Sequence, residues 1–230
     1  MALAAGSHEI DVPTRDVDVP LSPRGERQAM ALGRWFGAMP AADQPSVILT
    51  SPYERAFRTA LIMRQTAGFD PTAVPTVIDE RLREKEFGIL DRLTRHGIRA
   101  RYPEQAEMRR SLGKFYHRPP GGESWCDVIL RLRAVVDTIT RDYSRERILV
   151  VCHSVVVLCF RYLLEHMTEA EILAIDRDAE VANCSVTTYT FDRACGKHGG
   201  MALRSFNFVA PLEEGGAPVT VEPDANAAAR

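Results

Sequence analysis

Ile148-Leu149-Val150-Val151-Cys152-His153-Ser154 decides the fold. A continuous apolar, β-branched run of this length is what a parallel sheet buries on both faces, and it gives way to polar residues just before a helix over 155–165. His153 and Ser154 therefore stand past the carboxyl end of a buried strand, where open α/β sheets collect their ligands. An earlier stretch repeats the arrangement. The run 47–50 reads as a short buried strand, and Ser51-Pro52-Tyr53-Glu54-Arg55-Ala56-Phe57-Arg58-Thr59-Ala60 then carries Arg55 into a helix that reaches about Thr66.

Outward from these two strands the chain alternates between helix and strand. Residues 9–20, rich in Asp and Pro and without periodicity, read as a loop. Ser22 and Pro23 supply an N-cap and a first-turn proline for a helix to about Phe36, with Ala29, Leu32 and Phe36 inward and Arg24, Arg27 and Arg34 toward solvent. A second short strand is expected over 76–78. Between 91 and 123 charged helical stretches precede Pro119-Pro120-Gly121-Gly122, and this segment is expected to cover the site as a lid. Ser124 then opens a helix whose stripe is Trp125, Val128, Ile129, Leu132, Val135, Val136 and Ile139. Two further strands, near 185–191 and 203–209, complete one α/β domain over 1–211, and 212–230, rich in Ala, Gly, Glu and Pro, is expected to be a disordered tail.

Composition narrows the function classes. A chain of 230 residues with 45% hydrophobic content can bury a full core, and a net charge of −2 offers no basic face for nucleic acid. No run is long enough to span a bilayer, and residues 1–6 lack the cationic start and apolar core of a signal peptide. The five cysteines are odd in number and scattered in apolar contexts, which fits reduced thiols in a cytoplasmic protein.

The candidate site residues follow from chemistry. The planar guanidinium of Arg55 matches two phosphoryl oxygens, at a helix start whose N–H groups and dipole favour an anion. His153 can donate to a third oxygen. Glu84, in Leu82-Arg83-Glu84-Lys85-Glu86-Phe87-Gly88, can supply the proton a departing alkoxide needs if burial raises its pKa. Pattern alone does not choose it over Glu80 or Glu86. Cys195 with His198 lacks the second pair of ligands that a zinc site needs, so a hairpin tip is expected there. Lys114, His117 and Arg118 could select an anionic substrate, but a solvated basic turn is the better reading.

Read together, the chain resembles the histidine phosphatase superfamily, the phosphoglycerate mutase-like proteins, over roughly residues 18–191. The likeness rests on ordered motifs: Pro20-Leu21-Ser22-Pro23-Arg24-Gly25-Glu26-Arg27-Gln28-Ala29; Ser51-Pro52 with Arg55-Ala56 and Thr59-Ala60; Leu82-Arg83-Glu84 with Gly88; Pro120-Gly121-Gly122-Glu123-Ser124; Val150-Val151-Cys152-His153-Ser154; and Asn183-Cys184-Ser185-Val186. It implies a three-layer α/β sandwich with a mostly parallel central sheet flanked by helices. It also implies phosphate binding by Arg55, His153 and Ser154, with Glu84 as acid or base and His153 as second histidine of the catalytic pocket. The implied activity is phosphomonoester hydrolysis through a phosphohistidine, or mutase transfer, on a small phosphorylated substrate and without metal or organic cofactor. A non-catalytic phosphate-binding protein is the alternative. Neither membrane nor nucleic acid enters as a partner, and a homo-oligomer is left open.

The family's nucleophile stands in an Arg-His-Gly motif on an opening strand, and no such strand precedes residue 20 here. Arg95-His96-Gly97 spells the tripeptide after the Glu84 motif and without a preceding strand, so it is read as a decoy. Met1 is read as an internal methionine. The chain is accordingly expected to lack the first strand of the fold and to be inactive as it stands.

Overall fold

The computed structural model describes residues 8–10 and 14–220; the readings of residues 1–6 as no signal peptide and of 221–230 as tail lie outside the described residues. Helix α1 (Pro23–Ala38) begins as its sequence dictates, with Ser22 Oγ accepting from Gly25 N at 3.1 Å and Pro23 in the first turn. Strand β1 (Val47–Thr50) and helix α2 (Glu54–Ala67) follow, then strand β2 (Thr76–Ile78), all close to the expected bounds. The middle segment forms α3 (Arg95–Arg101) and α4 (Pro103–Tyr116). Helix α5 (Trp125–Asp142) opens on a reciprocal cap between Ser124 and Asp127, and leads to β3 (Ile148–Val151) and α6 (Ser154–Leu164). Helix α7 (Glu169–Asp178), strands β4 (Val186–Asp192) and β5 (Gly200–Phe208), and the short α8 (Ala210–Glu214) complete the chain.

The central sheet is parallel in the order β2-β1-β3, with Leu49 paired to both Val77 and Val150. Alternation along the strands sorts the core into two layers. Val47, Leu49, Ile148 and Val150 pack with Trp125, Leu132 and Val135 of α5 and Val156 of α6, while Ile48, Leu149 and Val151 pack with Leu32 and Phe36 of α1 and Met63 of α2. This is the three-layer α/β arrangement expected. The antiparallel pair β4-β5 is a separate two-stranded sheet. No helix among the described residues is long and apolar enough to cross a membrane.

Two expectations are corrected. The run 148–151 is half-buried where β1 is buried throughout, because β3 is the outer strand of its sheet and has no second neighbour among the described residues. Residues 212–220 are not a loose tail. Leu212 is fully buried beside Ala31, Gln28 Nε2 donates to Pro218 O and Thr220 Oγ1, and Asn183 N donates to Thr220 O.

One buried ion pair holds the segment after β2 against α5. Arg131 Nε donates to Glu123 Oε1 at 2.9 Å and Nη2 to Oε2 at 3.1 Å, with both side chains about one-tenth exposed. The remaining donors of Arg131 reach the carbonyl oxygens of Arg81 and Glu84, and Glu123 also accepts from Arg83 Nη2 and Glu86 N. Burial opposes ionisation of Glu123, but the bonds and charge of Arg131 outweigh it and hold the carboxyl below its ordinary 4.5. Nearby, Gly88 sits at φ 55°, and a Cβ there would lie 2.2 Å from Pro120 O, so only glycine lets this segment lie flat on the Pro120-Gly121-Gly122 turn. Glu123→Ala, which strands the Arg131 charge in the interior, is expected to lower stability by about 3–5 kcal/mol. Urea unfolding measures it; a loss below about 1 kcal/mol would mean that the clamp is not structural.

Candidate functional site

The site lies past the carboxyl ends of β1 and β3. Leaving β1, Ser51 is fully buried, and its Oγ accepts from Tyr53 N at 3.2 Å, which turns the chain into α2. Leaving β3, His153 is the N-cap residue of α6 and is buried, with Nε2 2.8 Å from Ser51 Oγ. The two strand ends are thus tied by one side-chain hydrogen bond. Glu84 arrives from the clamped segment, buried, with Oε2 3.9 Å from His153 Nδ1 and Oε1 accepting from Lys85 N at 2.8 Å. Glu80 and Glu86 are exposed. Of the three carboxyls that the charge-dense run left open, Glu84 is the buried one.

Arg55 joins the group through Tyr53. The buried Tyr53 ring packs edge-on to His153 with centroids 5.1 Å apart, and the Arg55 guanidinium lies 5.0 Å from the centroid of the same ring. The guanidinium fork is engaged by Asp16: Nη1 donates to Oδ1 at 3.0 Å and to the Asp16 carbonyl at 2.7 Å, and Nη2 to Oδ2 at 3.2 Å. The Asp16 carboxylate thereby takes up both terminal nitrogens of the fork. Ser154 is the first residue of α6, half-buried. Arg55, Glu84, His153 and Ser154, all singled out from sequence, are therefore gathered around one corner of the sheet.

Charge shapes this corner. Burial, and then the positive charges of Arg55 and Arg131, push the His153 imidazole well below its usual 6.5, so it is neutral at pH 7. Burial and the Glu86 carboxylate raise the Tyr53 phenol, which donates to Glu86 Oε1 at 3.0 Å. Burial around its sulfur pushes the Cys152 thiol up to about 12, with Glu84 adding to the rise, so that neighbour offers no thiolate. Among the described residues no cluster of three or more His, Cys, Asp or Glu side chains is placed to hold a metal ion.

Sequence reasoning missed several members of this constellation. Asp16 lies in the stretch read as loop and carries no local signal of its partner. Arg131 belongs to a helix read only for its apolar stripe, and Tyr53 and Ser51 were quoted without a role. The basic turn is corrected: His117 is buried, and Lys114 pairs with Asp176 at 2.5 Å, so only the exposed Arg118, paired with Asp127, is a solvated residue. The Arg95-His96-Gly97 tripeptide is on α3, with His96 exposed and T-stacked on His8 at 4.7 Å. Its glycine is required by packing, since a Cβ at Gly97 would lie 2.0 Å from His8 O.

The depressed His153 imidazole sets a pH dependence. The unfolded chain binds the proton first, so the contribution of neutral His153 is present above pH 6.5 and is lost as pH falls toward its folded pKa. Thermal unfolding between pH 7.5 and 5 should show a steady loss, up to about 1.4 kcal/mol per pH unit for this one group. His153→Gln should flatten that dependence; an unchanged slope would place the titration elsewhere.

Comparison with known proteins bears on the family and the fold. Residues 8–202 match the histidine phosphatase superfamily (branch 1). The chain is 31% identical over 153 residues to human 6-phosphofructo-2-kinase/fructose-2,6-bisphosphatase 3, an alignment covering 66% of this chain and 26% of that protein. The chain thus spans about a quarter of the length of these curated relatives. It is also 31% identical over 163 residues to the 2,3-bisphosphoglycerate-dependent phosphoglycerate mutase 2 of Gloeobacter violaceus, covering 69% of this chain and 70% of the mutase. Among solved structures, Bacillus stearothermophilus YhfR superposes with a TM-score of 0.68 at 28% identity, over 85% of this chain and 88% of that one. A mycobacterial glucosyl-3-phosphoglycerate phosphatase in complex with VO3 gives 0.64 at 25% identity, over 83% and 88%. The chain belongs to the histidine phosphatase superfamily, branch 1.

Proposed function

We propose that this protein is a phosphomonoester hydrolase of the histidine phosphatase type, working through a phosphohistidine. The convergence of Arg55, Glu84 and His153 across Tyr53, at the carboxyl ends of two parallel strands, carries this reading. Arg55 grips two phosphoryl oxygens once Asp16 yields its place, and neutral His153, with Ser154 at the start of α6, hydrogen-bonds the others. In the first step a histidine nitrogen forms a bond to phosphorus while the bond to the leaving oxygen breaks, and the Glu84 carboxyl passes its proton to that oxygen. In the second, water attacks phosphorus, the N–P bond breaks, and Glu84 takes a proton from the water. The segment 91–123 serves as the lid that excludes bulk water.

This reading keeps His153 out of the nucleophile's role. Its Nε2 is occupied by Ser51, and the other five histidines stand outside the group described above. The protein is then expected to bind a phosphoryl group without turning it over. Transfer to a second hydroxyl, supported by the likeness to the Gloeobacter mutase, differs only in the acceptor. A protein that only senses a phosphorylated ligand would use the same contacts. A cytoplasmic setting fits the free cysteines.

Calorimetric titration with inorganic phosphate tests the binding half of the proposal. Arg55→Ala should weaken binding by about 1.5–3 kcal/mol, the worth of hydrogen bonds to a charged group. Asp16→Asn, which frees the guanidinium, should tighten it by about 0.5–1 kcal/mol. Binding indifferent to Arg55 would refute the phosphoryl site. For turnover, p-nitrophenyl phosphate should be hydrolysed no faster than by His153→Ala; a clear His153-dependent rate would show that the nucleophile is already present.

A further inference from the structure

Ser51 is fully buried where the chain leaves β1, and its hydroxyl links that strand end to His153. The local sequence fixes where the hydroxyl sits. Pro52 has no N–H, so the first amide that can reach back to Ser51 Oγ is that of Tyr53, and it does so at 3.2 Å. This serine turn holds Oγ in one place, 2.8 Å from His153 Nε2.

A histidine that is neutral at pH 7 has one ring proton, and the partners of its two nitrogens decide which of them carries it. A hydroxyl has one proton to give and two lone pairs to offer. The Tyr53 amide is a donor, so it takes a lone pair of Ser51 Oγ and cannot receive the proton. The other partner of Oγ among the described residues is His153 Nε2. Were Nε2 to carry the ring proton, both partners of Oγ would be donors, and the Ser51 O–H would be stranded where no water reaches it, at the full cost of a buried unpaired donor. The opposite arrangement leaves nothing stranded. Oγ–H donates to the bare Nε2, and the ring proton sits on Nδ1, which faces Glu84 with Oε2 at 3.9 Å. A carboxyl oxygen on that side favours an N–H over a second lone pair.

We propose that Ser51 is the positioning residue of the phosphoryl site: by donating its hydroxyl proton to Nε2 it holds His153 in the Nδ1–H tautomer, and so makes this histidine a hydrogen-bond donor to a phosphoryl oxygen. The proposal rests on the reading of Arg55, Glu84 and His153 as that site. In this tautomer neither nitrogen can attack phosphorus, because the Nε2 lone pair receives the Ser51 proton and Nδ1 carries its own. One hydroxyl thus both orients the ring and assigns its role.

Long-range proton–nitrogen correlation spectra of protein labelled with nitrogen-15 histidine, taken at pH 7.5, read the tautomer, and the His153→Gln spectrum assigns its signals. His153 is expected to show a protonated Nδ1 and a bare Nε2. Ser51→Ala should move the proton toward Nε2 and, by calorimetric titration, weaken binding of inorganic phosphate about three- to tenfold, the worth of one oriented hydrogen bond. Ser51→Thr keeps the hydroxyl and should keep both the tautomer and the affinity. A protonated Nε2 in the wild type, or a tautomer unmoved in Ser51→Ala, would overturn the assignment; Arg55-dependent phosphate binding in the same protein would leave the phosphoryl site standing. Phosphate affinity unchanged in Ser51→Ala would likewise overturn the positioning role. If the wild type binds no phosphate, the phosphoryl site falls and the role of Ser51 with it. Should the variants fail to fold, the wild-type tautomer still decides.

Discussion

The buried pair of Glu123 and Arg131 is the constraint on which the site depends. Taking both ions out of water is repaid only when every oxygen and most of the guanidinium donors are used, and here they are shared among Arg83, Glu86 N and the carbonyls of Arg81 and Glu84. The segment 81–86 is neither strand nor α-helix, so no ladder of backbone bonds could hold it. It is held instead by side chains from α5 and from the turn that opens it. That arrangement brings Glu84 within 3.9 Å of His153, which stands far along the chain at the start of α6.

Around that fixed carboxyl the site is organised by what burial does to charge. His153 is kept neutral by burial and by two arginines, and is oriented by Ser51. Tyr53 separates His153 from Arg55 and packs against both, edge to the imidazole and face to the guanidinium. The guanidinium fork of Arg55 is taken up by Asp16.

Much of this was legible before any coordinates. Strands 47–50 and 76–78 declared themselves by β-branched runs between turn residues, and α1 and α5 by their caps and apolar stripes. Arg55, His153 and Ser154 were legible because position after a buried strand is a local property of sequence. The choice of Glu84 over Glu80 and Glu86 was not, since three carboxyls in one charged run differ only in burial. The packing of residues 212–220 was equally hidden: an Ala- and Gly-rich stretch has no periodicity, and its order comes from the distant Gln28 and Ala31. Helix α7 was not read at all, although Thr168 and Glu171 form a capping box at its start.

The sequence by itself determined the strand and helix alternation and the polar residues that stand past the ends of two strands, because hydrophobic periodicity and strand ends are written within a few residues. Only the tertiary structure decided which carboxyl is buried against His153, that Asp16 occupies Arg55, and that β3 has no second neighbour among the described residues. These depend on contacts across tens to more than a hundred positions, and burial, the quantity that sets the cost of each charge, exists only once the chain has closed on itself.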